Sequence, residues 1–145
     1  MSMLDAFNIS ASGMTAQRLR TDIISQNIAN VNTTRDASGN PYRRKSVVMA
    51  EKDVTSFSDV LRMVAGNTSN GVKVTNIFED TKTPLREVYD PSHPDANEEG
   101  YVFYPNVNTV TEMTNLIDAS RSYEANVTAF NGTKNMMLKA LEIGK

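Results

Sequence analysis

The stretch Thr109–Gly144, TVTEMTNLIDASRSYEANVTAFNGTKNMMLKALEIG, decides the fold. Met113, Ser120, Val127, Lys134 and Leu141 stand seven residues apart, and Leu116, Tyr123, Phe130 and Met137 fall three further on. Apolar residues at alternating steps of three and four share one side of a helix, so this run predicts a long helix with a coiled-coil seam. Val110, Ile117 and Leu138 widen the stripe enough for more than one partner helix. Thr109 and Glu112 have the spacing of a capping box just after Pro105, and Gly144 stands where a helix C-cap would be. Lys134 predicts an edge in the seam at that point, because its charged head must reach water.

The opposite end reads as a second helix. Residues 1–31 contain no Pro and one Gly, with Ser2 and Asp5 spaced as a capping box. Phe7, Ala11 and Met14, then Ala16, Leu19 and Ile23, then Ile24, Ile28 and Val31 keep helical spacing but cover more than one stripe. Only Asp5, Arg18, Arg20 and Asp22 are charged, four residues where average composition gives roughly eight. A helix with one solvated side carries Lys and Glu there, so this one is expected to make contacts on most of its sides. At ~1.5 Å per residue the two ends would run roughly 42 and 55 Å, too long for a compact domain of this size.

Residues 32–106 hold all five Pro and four of the seven Gly, the composition of a turn-rich middle. Asp36–Pro41 predicts a turn. Phe57, Leu61 and Val64, with Val54 before them and Ser56 and Asp59 as a cap, predict a short helix within 53–66. Gly71–Thr75, Leu85–Tyr89 and Tyr101–Tyr104 read as short strands. The fold class is therefore mainly α: two long helices, 1–31 and 107–145, with a small β-rich, irregular element at 32–106.

Composition narrows function by exclusion. The 145 residues carry a net charge of -2 and no Cys, which points to no nucleic-acid partner, no disulfide framework and no thiolate chemistry. No apolar run is long enough to span a bilayer, and the N-terminus lacks the basic and apolar regions of a cleaved signal peptide. His93 lies among Asp90, Asp95, Glu98 and Glu99, but the prolines around it break the convergent geometry that a metal or acid–base site needs. Arg43-Arg44-Lys45 is too short for a nucleic-acid patch; pairing with Glu51, Asp53, Glu79 or Asp80, or with a neighbour, suits it better. Catalytic, cofactor and metal sites are expected to be absent.

Several motifs carry a family likeness. Ala11-Ser-Gly-Met-Thr-Ala-Gln17 and Asn27-Ile-Ala-Asn-Val-Asn-Thr33 resemble the N-terminal signature of the flagellar rod, hook and hook-associated axial proteins. Pro41-Tyr-Arg-Arg-Lys45, Val88–Ala96, Gly100-Tyr-Val, Tyr104–Asn108, Ser120–Asn126 and Lys134–Leu138 resemble the proximal-rod members of that family. The resemblance implies that the terminal helices pair as an antiparallel coiled coil and stack into a tube around an export channel. It implies a periplasmic rod in the flagellar basal body, reached by type III export without a cleaved signal. Implied partners are copies of the chain, rod proteins of the FlgB, FlgF and FlgG types, the FliE adaptor and the export apparatus. Asn27, Asn30, Tyr42, Arg43, Arg44 and Asn126 are the family-motif residues. The expected assembly seam comprises Phe7, Met14, Leu19, Ile23, Ile28, Met113, Leu116, Tyr123, Val127, Phe130, Met137 and Leu141. A secreted adaptor or cap of the axial assembly is the alternative, and a cell-wall hydrolase would need paired carboxylates that only the loop around His93 offers.

Overall fold

A computed structural model describes residues 3–36, 38–53, 57–64 and 70–143. In chain order the elements are α1 (Met3–Ala29), β1 (Lys45–Glu51), α2 (Phe57–Val64), β2 (Val72–Glu79), β3 (Arg86–Tyr89), β4 (Tyr101–Tyr104) and α3 (Thr109–Ile143). Two long helices flank a middle with two two-stranded sheets, β1–β2 and β3–β4. The chain divides into two compact units. Unit 1 comprises 1–19, 48–76 and 119–145; unit 2 comprises 20–47 and 77–118.

In unit 1 the helices run antiparallel. Phe7 of α1 meets Phe130 of α3 edge to face with ring centroids 4.7 Å apart, and six residues along, Gly13 lies against Asn126. The core here is small: Ala16 and Ala119 are buried, with Ser10 and Thr133 as buried hydroxyls. Small side chains let two helices approach closely but leave little apolar area between them. The β1–β2 ribbon also runs antiparallel here, with Lys52 N–H donating to Gly71 O at 2.7 Å and Thr75 Oγ1 donating to Val48 O at 3.1 Å.

Unit 2 holds the larger apolar core, with Ile23, Ile24, Val102 and Val107 buried. β3 and β4 pair antiparallel from Arg86 opposite Tyr104 to Tyr89 opposite Tyr101. Tyr89 and Tyr101 face each other as an edge-to-face ring pair, the cross-strand contact that stabilises a short hairpin. The loop between them turns back at Gly100, whose φ of 84° is open to glycine at little cost. Asp90 and Asn97 hold that loop by accepting backbone N–H groups two and four residues on.

The strands expected at 71–75, 85–89 and 101–104 form within a residue or a few of those limits, and the helix expected within 53–66 forms at Phe57–Val64. Val54 and Ser56, part of that expectation, lie outside the described residues, as do Ser2 and Gly144. β1 is an additional strand. The start of α3 differs in mechanism from expectation. Asn108, not Thr109, is the N-cap, its Oδ1 accepting from Val110 N–H at 3.0 Å and Thr111 N–H at 3.1 Å. Asn outranks Thr as a cap, and this leaves the Glu112 carboxylate free for a different task.

Candidate functional site

Unit 2 is fastened by polar groups that the fold has taken wholly out of water. Asn27, in the last turns of α1, and Glu112, in the first turn of α3, are each 0% exposed. Asn27 Nδ2 donates to Glu112 Oε2 at 2.9 Å and to Lys45 O at 2.8 Å. Its Oδ1 accepts from the Tyr42 hydroxyl and from Lys45 N–H, both at 2.9 Å. Two donors and two acceptors are the full capacity of a carboxamide, so Asn27 is saturated. No other side chain of that size offers this set, which gives the Asn of the N-terminal motif a structural reason.

Glu112 is satisfied from the other side. Arg44 Nε and Nη2 donate to Oε1 at 2.9 and 2.8 Å, and Arg44 Nη1 continues to Ser46 Oγ at 2.8 Å. The Arg44 backbone N–H donates to Asn106 Oδ1 at 2.8 Å, and Asn106 Nδ2 donates to Asp80 O at 3.0 Å. A fully satisfied buried network is stiff, and breaking one member leaves the others in a low-dielectric setting without partners. One knot therefore joins the end of α1, the segment at 42–46, the turn at Asp80 and the start of α3.

The three neighbouring cations divide their labour. Arg44 takes Glu112, which was not among the acidic candidates for it. Lys45 pairs with Glu79 at 3.3 Å, and Arg43 donates to the backbone of Asp80 at 3.3 Å. The remaining motif residues also find places. Asn30 closes the end of α1, donating to Gln26 O at 2.8 Å and accepting from the Thr33 hydroxyl at 3.1 Å. Asn126 lies against Gly13 in unit 1. His93 Nδ1 accepts from Asp95 N–H, Asp90 accepts from Ser92, and Asp95 takes Thr34 and Arg35. These groups serve loop structure; among the described residues no three His, Asp or Glu could hold a metal ion.

Tyr42 carries a measurable signature of the knot. Burial, and then the nearby charges of Glu79 and Glu112, push its phenol above the ordinary value of 10.0. The folded state thus keeps a proton that the unfolded chain releases, so stability is present below pH 10 and is lost as pH rises through the folded-state value. A urea midpoint followed from neutrality past that pH should fall more steeply for the wild type than for Tyr42→Phe. The variant should itself lose about 1 kcal/mol through the missing hydroxyl donor.

The residues expected to form an assembly seam separate by direction. Ile23 is buried, and Phe7, Met14, Leu19, Ile28, Leu116, Val127 and Phe130 are half-buried. Met113, Tyr123, Met137 and Leu141 are exposed. The inward register of α3 is Glu112, Ala119, Asn126 and Thr133, also seven apart but one residue earlier than the apolar heptad. Lys134 is exposed. Outward-facing apolar residues on α3 include Val110, Met113 (54% exposed), Ile117 (54%), Met136, Leu138, Leu141 (64%) and Ile143. On α2, Phe57, Val60, Leu61 and Val64 are exposed as well. Isolated apolar residues on a surface are ordinary, but repeated runs along helix faces mark interaction surfaces.

Comparison with known proteins gives these features a class. Residues 7–35 match the family described as flagella basal body rod protein, and residues 98–143 match the flagellar basal body rod FlgEFG protein C-terminal family. These two matches contain α3 and nearly all of α1, with Asn27 and Glu112 among them, and define a flagellar rod protein. Over its full length the chain is 51% identical to the flagellar basal-body rod protein FlgC of Bacillus subtilis (strain 168), with 100% of both chains covered. It is 43% identical to FlgC of Borreliella burgdorferi over 99% of this chain and 98% of the relative. Against FlgC of Salmonella typhimurium it is 38% identical, with both chains covered completely. The chain belongs to the FlgC family of flagellar basal-body rod proteins, and its function is that of a structural subunit of the basal-body rod.

Proposed function

We propose that this rod subunit assembles by covering the outward apolar face of α3 with copies of itself and with other axial proteins. The observation that carries this reading is the run Val110, Met113, Ile117, Tyr123, Met137 and Leu141, which the single chain leaves in water along α3. The seam residues facing inward, Phe7, Met14, Leu19, Ile23, Ile28, Leu116, Val127 and Phe130, hold the helix pair that presents this face. Residues 1–31 and 107–145 serve as the helical part of a tube wall, and residues 32–106 as its turn-rich outer element. The subunit acts by packing, not by catalysis. Its neighbours are rod proteins of the FlgB, FlgF and FlgG types and the FliE adaptor. It reaches the periplasm through flagellar type III export without a cleaved signal.

The chain has no Cys, so single cysteines introduced at chosen sites are unambiguous reporters. With Ile117→Cys or Leu141→Cys, a short bifunctional thiol–amine reagent should link the subunit to an axial neighbour in purified basal bodies. Ala119→Cys, at a buried site, should not link. Equal linking from all three positions, or none from the outward pair, would contradict the assignment of this face.

A further inference from the structure

The adjacent residues Ser12 and Gly13 of α1 each seat a different segment of unit 1. Ser12 Oγ donates to Ile9 O at 2.7 Å, one turn back in the helix, and accepts from Val72 N–H at 3.0 Å. The residue before Val72 is Gly71, which is buried. A Cβ added there would lie 2.3 Å from Ser12 Oγ and 3.0 Å from Ser12 Cβ. On the other flank, a Cβ added at Gly13 would lie 2.6 Å from Asn126 Oδ1. Asn126 is fixed in its turn by donating to Ser122 O at 2.8 Å. At either position a side chain larger than hydrogen would force the facing Ser12 or Asn126 side chain to shift.

We propose that Ser12–Gly13 is a two-sided notch that registers β2 and α3 on α1, and that Ser12 makes this seating conditional on helix formation. With its proton held by Ile9 O, the Ser12 oxygen presents its lone pairs outward as an acceptor. When α1 is unwound that acceptor is no longer aimed at Val72. The β1–β2 ribbon needs such an anchor because a two-stranded ribbon is marginal in water, and Lys52 N–H donating to Gly71 O passes the anchorage to β1. Ser12 and Gly71 are thus positioning residues for assembly, a role that rests on the rod-subunit reading above.

The test uses the full chain expressed in a strain that lacks its own copy, counting rods in purified basal bodies and measuring exported subunit. Gly71→Ala should lower assembled rods about tenfold by overpacking while leaving exported subunit unchanged. Ser12→Gly alone should lower them less, about fivefold or under, through glycine in a helix and the lost hydrogen bond. The double variant Ser12→Gly/Gly71→Ala should assemble better than Gly71→Ala alone, because removing Ser12 Oγ and Cβ vacates the space the new methyl needs. Ordinary destabilisation would make the double variant worse than either single one, and that result overturns the notch. Wild-type assembly of Gly71→Ala overturns it too. Failure of the unmodified chain to restore rods would instead refute the rod-subunit reading on which the notch depends.

Discussion

Replacing Glu112 with Ala should lower the urea midpoint of unit 2 by at least about 1 M. The carboxylate is fully buried and accepts from two Arg44 nitrogens and from Asn27. Without it, the part-buried guanidinium keeps only Ser46 Oγ, and one of the two Asn27 Nδ2 protons is left in the interior without an acceptor. Breaking a buried ion pair from one side costs about 3–5 kcal/mol, a large share of the roughly 5–15 kcal/mol that hold an ordinary domain together. Loss of an acidic group in the first turn of α3 adds a smaller helix-dipole penalty. Glu112→Gln should be milder yet still damaging, because one amide cannot accept from Arg44 and Asn27 on both of its atoms. The comparison that isolates the pair is Arg44→Ala placed on top of Glu112→Ala. It should cost much less than Arg44→Ala in the wild type, since the stranded charge has gone. Additive losses would mean that the two side chains are not coupled as described.

The opposite kind of outcome is expected on the outward face of α3. Met113, Ile117 and Leu141 are all more than half exposed, so converting the three to Ser should move the free subunit's stability by about 0.5 kcal/mol per site or less. In a rod each would lose the burial of its remaining apolar area, about 1 kcal/mol apiece for part of a side chain worth 1.5–3 kcal/mol in full. Three such losses weaken each subunit contact by roughly 100-fold, and the deficit recurs at every subunit added. Cells carrying the triple variant should export the protein, build no rods and fail to swim. Normal swimming with normal rods would show that this face is not where neighbours sit.

The helices and the inward seam were unequally legible in the sequence, and the reason is physical. Pro confined to the middle, together with the sparse charge of residues 1–31, marked both long helices. Hydrophobic periodicity then counts apolar residues whichever way they face. On α3 many of them, Met113, Ile117 and Leu141 included, face outward, while the most buried register is Glu112, Ala119, Asn126 and Thr133, two polar groups, one hydroxyl and one small residue. The apolar heptad therefore ran one residue out of step with the buried one. Glu112 was the clearest loss. Its spacing from Thr109 mimics a capping box, and its partners Arg44 and Asn27 lie 68 and 85 residues away, beyond any local pattern. Asn27 and Tyr42 were visible only as motif residues, and Arg44 also as part of a basic cluster whose carboxylate partner, Glu112, was not among those expected. β1 went unread because Lys45–Glu51 lacks the bounding turn residues that marked the other strands.

A density map of the assembled basal body, resolved to side chains, bears most directly on the claim that the helices of this chain hide their apolar faces in one another's company. Val110, Met113, Ile117, Tyr123 and Leu141 of each subunit should lie in van der Waals contact with side chains of neighbouring axial proteins. A map in which those five residues border solvent or an empty channel, with subunits joined through other surfaces, would contradict it.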